Sequence, residues 1–101
     1  MHSPWVVVQA RRREAGEAAA RGPRVAVAVG RGLRTAVARN RVRRAVREAC
    51  RAALGGDEGP WDLVLIARPG AAEVPFAERV RALSALLREA GVGAEQKAVG
   101  A

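Results

Sequence analysis

The chain has 101 residues, half of them hydrophobic, with 18 Lys+Arg against 10 Asp+Glu and a formal net charge of +8. That length allows one small domain that buries about two-thirds of its unfolded surface around a single core. No apolar run approaches the roughly 20 residues of a membrane span, MHSPWVVV has no signal-peptide pattern, and one Cys50 and one His2 exclude an internal disulfide, a zinc enzyme and a Ser/His/Asp hydrolase.

Seventeen of the basic residues are arginine, and only Lys97 is lysine. GC-rich coding accounts for that ratio but not for where the charge sits. Residues 1–30 carry five Arg and two Glu, a net +3; residues 31–51 carry eight Arg and Glu48, a net +7. Residues 52–101 carry four Arg, Lys97 and seven acids, a net −2. A solvated surface mixes its signs, whereas a single basic block is a binding footprint. A polyanionic partner and a cytoplasmic setting follow as expectations.

In chain order, the β-branched run Trp5 to Ala10 predicts a first strand. Residues 11–23, polar, Ala-rich and closed by Gly22-Pro23, predict a long loop. Arg24 to Val29 alternates strictly. Val25, Val27 and Val29 point to one face, toward helices, and Ala26 and Ala28 point to the other, where a ligand can come close. Gly30-Arg31-Gly32 reads as a strand-to-helix turn, with Arg31 continuing the basic block. Thr35 caps a predicted helix from about Ala36 to Leu54, stopped by Gly55-Gly56. Ala38, Val42, Ala45, Val46, Ala49, Cys50 and Ala53 share one arc of that helix; Asn40, Arg43, Arg44, Arg47 and Arg51 share the opposite one, with Arg39 and Arg41 at its boundaries. Trp61 to Ala67, continuously apolar, predicts a buried strand ended by Arg68-Pro69-Gly70. A last helix starts near Pro75 and buries Phe76, Val80, Leu83 and Leu87 until Gly91 closes it. Trp5 and Trp61 read as core or strand-end packing, and Cys50 as a small core residue. The order strand, strand, helix, strand, helix predicts a single α+β domain, a small sheet covered by two helices.

Arginines near a helix start repel the positive end of its dipole. Glu48 is the only acid on the long helix, so a bound anion is the natural compensation: phosphates can use free helix N–H groups and guanidinium forks together. Asn40, set among the arginines, can reach a base edge or a 2′-hydroxyl. With no aromatic platform, RNA bound through this helix is the favoured reading. The nearest carboxylates, Asp57, Glu58 and Asp62, read as a polar loop before a strand.

The run Ala36-x-x-Arg39-Asn40-Arg41-Val42-x-Arg44 resembles the RNR signature of the protein subunit of bacterial ribonuclease P. The likeness extends to the strand and basic turn of Arg24–Arg31, to Asp62–Pro69 with its Ala-Arg-Pro, and to Phe76–Leu87, so it covers roughly residues 3–90 of a single domain spanning 1–101, with 91–101 as a loose tail. It implies an α/β sandwich, ribosomal-protein-S5-domain-2-like, with a left-handed βαβ crossover. It also implies that the helix docks on a catalytic RNA through Arg39, Asn40 and Arg41, with Arg43, Arg44, Arg47, Arg51 and Arg31 as added contacts. A cleft on the sheet face, partly lined by Ala26 and Ala28, would hold the 5′ leader of precursor tRNA. Mg²⁺, bound mainly by the RNA subunit, would serve the phosphodiester hydrolysis, with no catalytic residue in this chain and neither membrane nor DNA as partner.

The chain departs from the family pattern in places. Arg31 stands where a lysine is expected; Val29-Gly30-Arg31-Gly32 lacks the serine and second lysine of that turn; Arg34 and Thr35 replace small or amide residues. The family's basic segment and helix before the first strand are missing ahead of Met1-His2-Ser3-Pro4. Two readings are open, a start placed too far downstream, which the abrupt beginning favours, and a true short form with weaker leader binding; a less covered sheet surface and lower stability are the expectation. Alternatives from other classes are a general RNA- or ribosome-binding module of the same fold, a DNA-binding helix domain and a stand-alone nuclease.

Overall fold

The computed structural model describes residues 2–13, 22–56 and 59–92. Most of the expected long loop (14–21), Asp57, Glu58 and the tail from 93 onward lie outside the described residues. The elements are β1 (His2–Ser3), β2 (Val6–Arg12), β3 (Arg24–Val29), α1 (Ala36–Leu54), β4 (Trp61–Ala67), a 3-10 turn (Pro69–Glu73) and α2 (Phe76–Glu89). One sheet runs in the order β1-β2-β4-β3. β4 is flanked by an antiparallel partner, β2, and a parallel one, β3. Parallel neighbours need a long connection, and α1 supplies it.

Period-two alternation decides which side chains meet the helices. Val6 and Val8 of β2, Val27 of β3, and Leu63, Leu65 and Ala67 of β4 are buried against Val42, Val46, Ala49 and Cys50 of α1 and Leu83, Leu86 and Leu87 of α2. Trp5 and Trp61 are half-buried at the edges of this core. The register places three rows on the opposite face of the sheet: Val7, Ile66 and Ala28; Gln9, Val64 and Ala26; Arg11, Asp62 and Arg24. Both helices stand on one side, so β4 is buried on one face only. Val64 and Ile66 remain 39% and 37% exposed, which corrects the expectation of a strand covered on both sides.

Two further expectations shift. Phe76 has the right helical phase for the core but is 49% exposed, because it is the first residue of α2 and its ring lies beside Arg79 rather than against the core cluster. Arg79 is buried instead, with Phe76 beside it, the ring centroid 5.8 Å from Cζ. Pro75 is the N-cap of α2 rather than a residue of its first turn. The strand expected to stop at Ala10 runs on to Arg12, and His2–Ser3 pair with Val7 and Val6 as an unanticipated edge strand.

Helix ends follow local chemistry. Thr35 Oγ1 accepts the Ala38 amide at 3.1 Å, one of the N–H groups that a helix start leaves without a partner. At the end of α2, Gly91 sits at φ 94°, its amide bonds the Arg88 carbonyl and the Val92 amide bonds that of Leu87. That pairing, with Val92 buried, is a Schellman closure. Before α1, Gly32 holds φ 121°, where a Cβ would lie 3.1 Å from Pro69 Cγ. Gly32→Ala should therefore cost about 1–3 kcal/mol from backbone strain alone, read as a lower midpoint in urea unfolding.

Asp62 joins three segments. It accepts from Arg13 at 2.8 Å, Arg11 at 3.0 Å and Arg24 at 3.0 Å. Arg13 is almost fully buried and also donates to the carbonyls of Trp61 and Gly22, tying the end of β2 to the starts of β4 and β3. Asp62 therefore belongs to the sheet rather than to a polar loop before it. Hydrogen bonds from Arg13 and Arg24, opposed in part by desolvation, lower its pKa from 3.8 to about 2. The folded state thus holds its proton more weakly than the unfolded chain. The stabilisation is complete above the unfolded value and lost as pH falls from about 4 toward 2. Acid unfolding of Asp62→Asn should lack that dependence, and identical acid limbs for the two proteins would refute the assignment.

Cys50 is buried, and desolvation pushes its thiol pKa up to about 11, only partly countered by Arg51, so it is protonated at neutral pH and serves as core.

Candidate nucleic-acid interface

Because α1 packs its valines on the sheet, its other side faces outward. Asn40, Arg41, Arg44, Arg47 and Arg51 are all exposed on that side. Asn40, Arg43, Arg44, Arg47 and Arg51 line one shallow hollow along the helix, with Glu48 as its one acid. Arg41 pairs with Glu73 at 3.4 Å, both side chains being about two-thirds exposed. Such a pair is worth little against a stronger anion. Arg44, Arg47 and Arg51 make no ion pair among the described residues. Their charge is open to a partner.

The two remaining helix arginines are placed differently. Arg39 is half-buried, and its Nη1 donates to the Leu33 carbonyl at 3.1 Å, so it secures the entry to α1. Arg43 is half-buried as well and donates to Asn40 Oδ1 at 3.0 Å. This bond occupies the amide oxygen and turns the Asn40 NH₂ into the group on offer. Arg31 is exposed in the turn before α1. With no acid in the first turn of α1, nothing local neutralises the helix start.

Ala26 and Ala28 lie elsewhere. They are exposed on the open face of the sheet, with Val64, Ile66, Val7 and Gln9 around them and Arg11, Asp62 and Arg24 closing one end. The structure thus separates the proposed residues into two surfaces on opposite sides of the sheet–helix sandwich. Arg24 was not singled out by the sequence reading, although its spacing of two from Ala26 carries the signal. Arg79, buried on α2, left no such signal.

The donor set of the described residues does not fit a divalent cation. Among the described residues no three of His, Cys, Asp and Glu come together, and the Asp62 oxygens are engaged by arginines. No helix is long and apolar enough to cross a membrane among the described residues.

A one-sided arginine helix carrying an amide, set on a sheet whose far face is open, defines a small nucleic-acid-binding module of the α+β class. A family model described as Ribonuclease P matches residues 1–91. The chain is 48% identical over 73 residues to the ribonuclease P protein component of Ruegeria pomeroyi, covering 70% of this chain and 57% of that protein. It is 38% identical over 93 residues to that of Mycobacterium avium, covering 92% and 78%. Among solved structures it is similar to the Staphylococcus aureus RNase P protein, with TM-score 0.66 and 24% identity over 91% of this chain and 80% of that one. The Thermotoga maritima RNase P protein matches with TM-score 0.63 and 28% identity over 87% and 80%. The chain belongs to the ribonuclease P protein family, the protein component of an endoribonuclease that is a ribonucleoprotein.

Proposed function

We propose that this chain binds the catalytic RNA of ribonuclease P through α1 and presents its open sheet face to the 5′ leader of precursor tRNA. The observation that carries the reading is the exposed set Arg44, Arg47 and Arg51, without an ion pair among the described residues, beside Asn40 on one side of one helix. Guanidinium groups displace counterions from a phosphate backbone, which gives affinity, and an amide adds selectivity for an edge or a 2′-hydroxyl. Arg39 and Arg43 support this surface from its margins, and Arg31 extends it. The shallow floor of Ala26 and Ala28 leaves room for an extended single strand, with Arg24 and Arg11 at one end for its phosphates.

In this reading the protein performs no bond chemistry. Mg²⁺ belongs to the RNA subunit. The chain lowers repulsion between two polyanions and holds the substrate's leader in a cytoplasmic ribonucleoprotein. Family membership also supports a left-handed course for the β3–α1–β4 connection and the likeness to the ribosomal-protein domain.

The test is cleavage of precursor tRNA by the cognate RNA subunit at low Mg²⁺, with and without this chain. Faster cleavage and a lower Mg²⁺ requirement are expected. No stimulation, with RNA binding intact, would leave a general RNA-binding module.

A further inference from the structure

We propose that the groove between α1 and the corner formed by the 3-10 turn and α2 receives a single unstacked nucleotide of the RNA partner. The proposal rests on α1 being the RNA-binding helix and adds a specific site beside it. The groove encloses about 520 Å³. That falls within the range of about 300–1,000 Å³ typical of ligand sites and far exceeds what a lone phosphate fills.

Three guanidinium groups approach the groove from two elements: Arg41 and Arg44 from α1, and Arg79 from α2. Arg79 is only 9% exposed. Its Nη1 donates to the carbonyls of Val74 and Ala72, while its buried Nε has no hydrogen-bond partner among the described residues. Buried polar groups in native proteins are nearly all satisfied, so an unused donor on a buried cation calls for a partner. An RNA phosphate at the mouth of the groove would compensate this cation. Among the described residues Arg41 is held only by the exposed Glu73, which a phosphate can replace.

The remaining wall suits a base or ribose. Val37, four residues before Arg41 and seven before Arg44 on the same side of α1, is 80% exposed, an apolar residue that the core does not use. Ala72 of the 3-10 turn lines the same groove with a small side chain. Asn40 lines the same groove, and with its oxygen accepting from Arg43 its NH₂ is the group left to donate. Bases displayed out of a stack are read by such contacts on their edges. Glu48 lines the groove as well and repels phosphate, so the phosphate belongs with Arg41 and Arg79 and the base beside Asn40.

The test uses the full chain with the cognate catalytic RNA. Ala72→Leu fills the groove without removing a charge, and Val37→Ala removes the exposed wall at a position that leaves the core untouched. Expected are a roughly tenfold loss of RNA affinity for the first and a roughly threefold loss for the second. In 2′-hydroxyl acylation mapping, one nucleotide protected by the wild-type chain becomes reactive with Ala72→Leu while the rest of the footprint persists. Arg47→Gln with Arg51→Gln serves as the comparison, since both residues lie outside the groove. Wild-type affinity and footprint for both groove variants, with the comparison weakened, overturns the nucleotide site alone. An unaffected comparison as well overturns the helix reading beneath it. Should Ala72→Leu fail to fold, as read by circular dichroism, Val37→Ala decides.

Discussion

Replacing Arg44, Arg47 and Arg51 together by glutamine is expected to weaken binding of the catalytic RNA about a hundredfold near 0.1 M salt, with the slope of log affinity against log salt reduced by about two to three. The size follows from three exposed cations without a carboxylate partner among the described residues, each free to neutralise one phosphate. Glutamine keeps the helix propensity close to that of arginine, so the fold should not change. The loss should shrink as salt rises, because the missing contribution is counterion release. Filter binding at several salt concentrations gives both quantities, and an unchanged slope would show that this side of α1 does not face phosphate. The pair Arg39→Ala and Arg41→Ala should also weaken association and raise the Mg²⁺ requirement for cleavage. It is a less direct probe, because Arg39 also secures the Leu33 carbonyl and Arg41 already pairs with Glu73.

Arg13→Met is expected to lower stability by about 2–3 kcal/mol, a fall in Tm of roughly 10–20 °C for a domain of this size. Arg13 is buried, and its guanidinium bonds Asp62, the Trp61 carbonyl and the Gly22 carbonyl. Methionine matches the stem but leaves both carbonyls without this donor. Asp62 keeps Arg11 and Arg24, which limits the loss below that of a fully isolated buried charge. Urea unfolding measures the effect directly. A change within about 0.5 kcal/mol, the size of an ordinary surface substitution, would mean that the Arg13 bonds contribute nothing net.

The arginine run Arg11–Arg13 illustrates where sequence reading stops. As sequence, its three residues are equivalent. In the structure Arg11 borders the open sheet face, Arg12 lies over the Trp61 ring at 5.9 Å and Arg13 is inside the fold. The difference comes from Asp62, 49 residues beyond Arg13, which pairing of β2 with β4 brings alongside. Phe76 and Arg79 make the same point on α2. Helical phase says which way a side chain points, but not whether a partner stands there, and here the apolar ring is left half-open while the cation is enclosed.

Local patterns were enough for much else. Alternation in Arg24–Val29, the Thr35 cap, the Gly55 stop and the 3.6-residue rhythm of Ala36–Leu54 specify β3 and α1 to the residue. They also specify the outward side of α1, because a helix that buries Val42, Val46, Ala49 and Cys50 must expose Arg44, Arg47 and Arg51. These properties depend on neighbours within a few residues, and covalent geometry sets their spacing. The open sheet face, the Asp62 staple, the burial of Arg79 and the groove beside Val37 depend instead on strands and helices distant in the chain. Register and packing bring those elements together, and only tertiary structure decides which of the 17 arginines hold the fold and which are left for RNA.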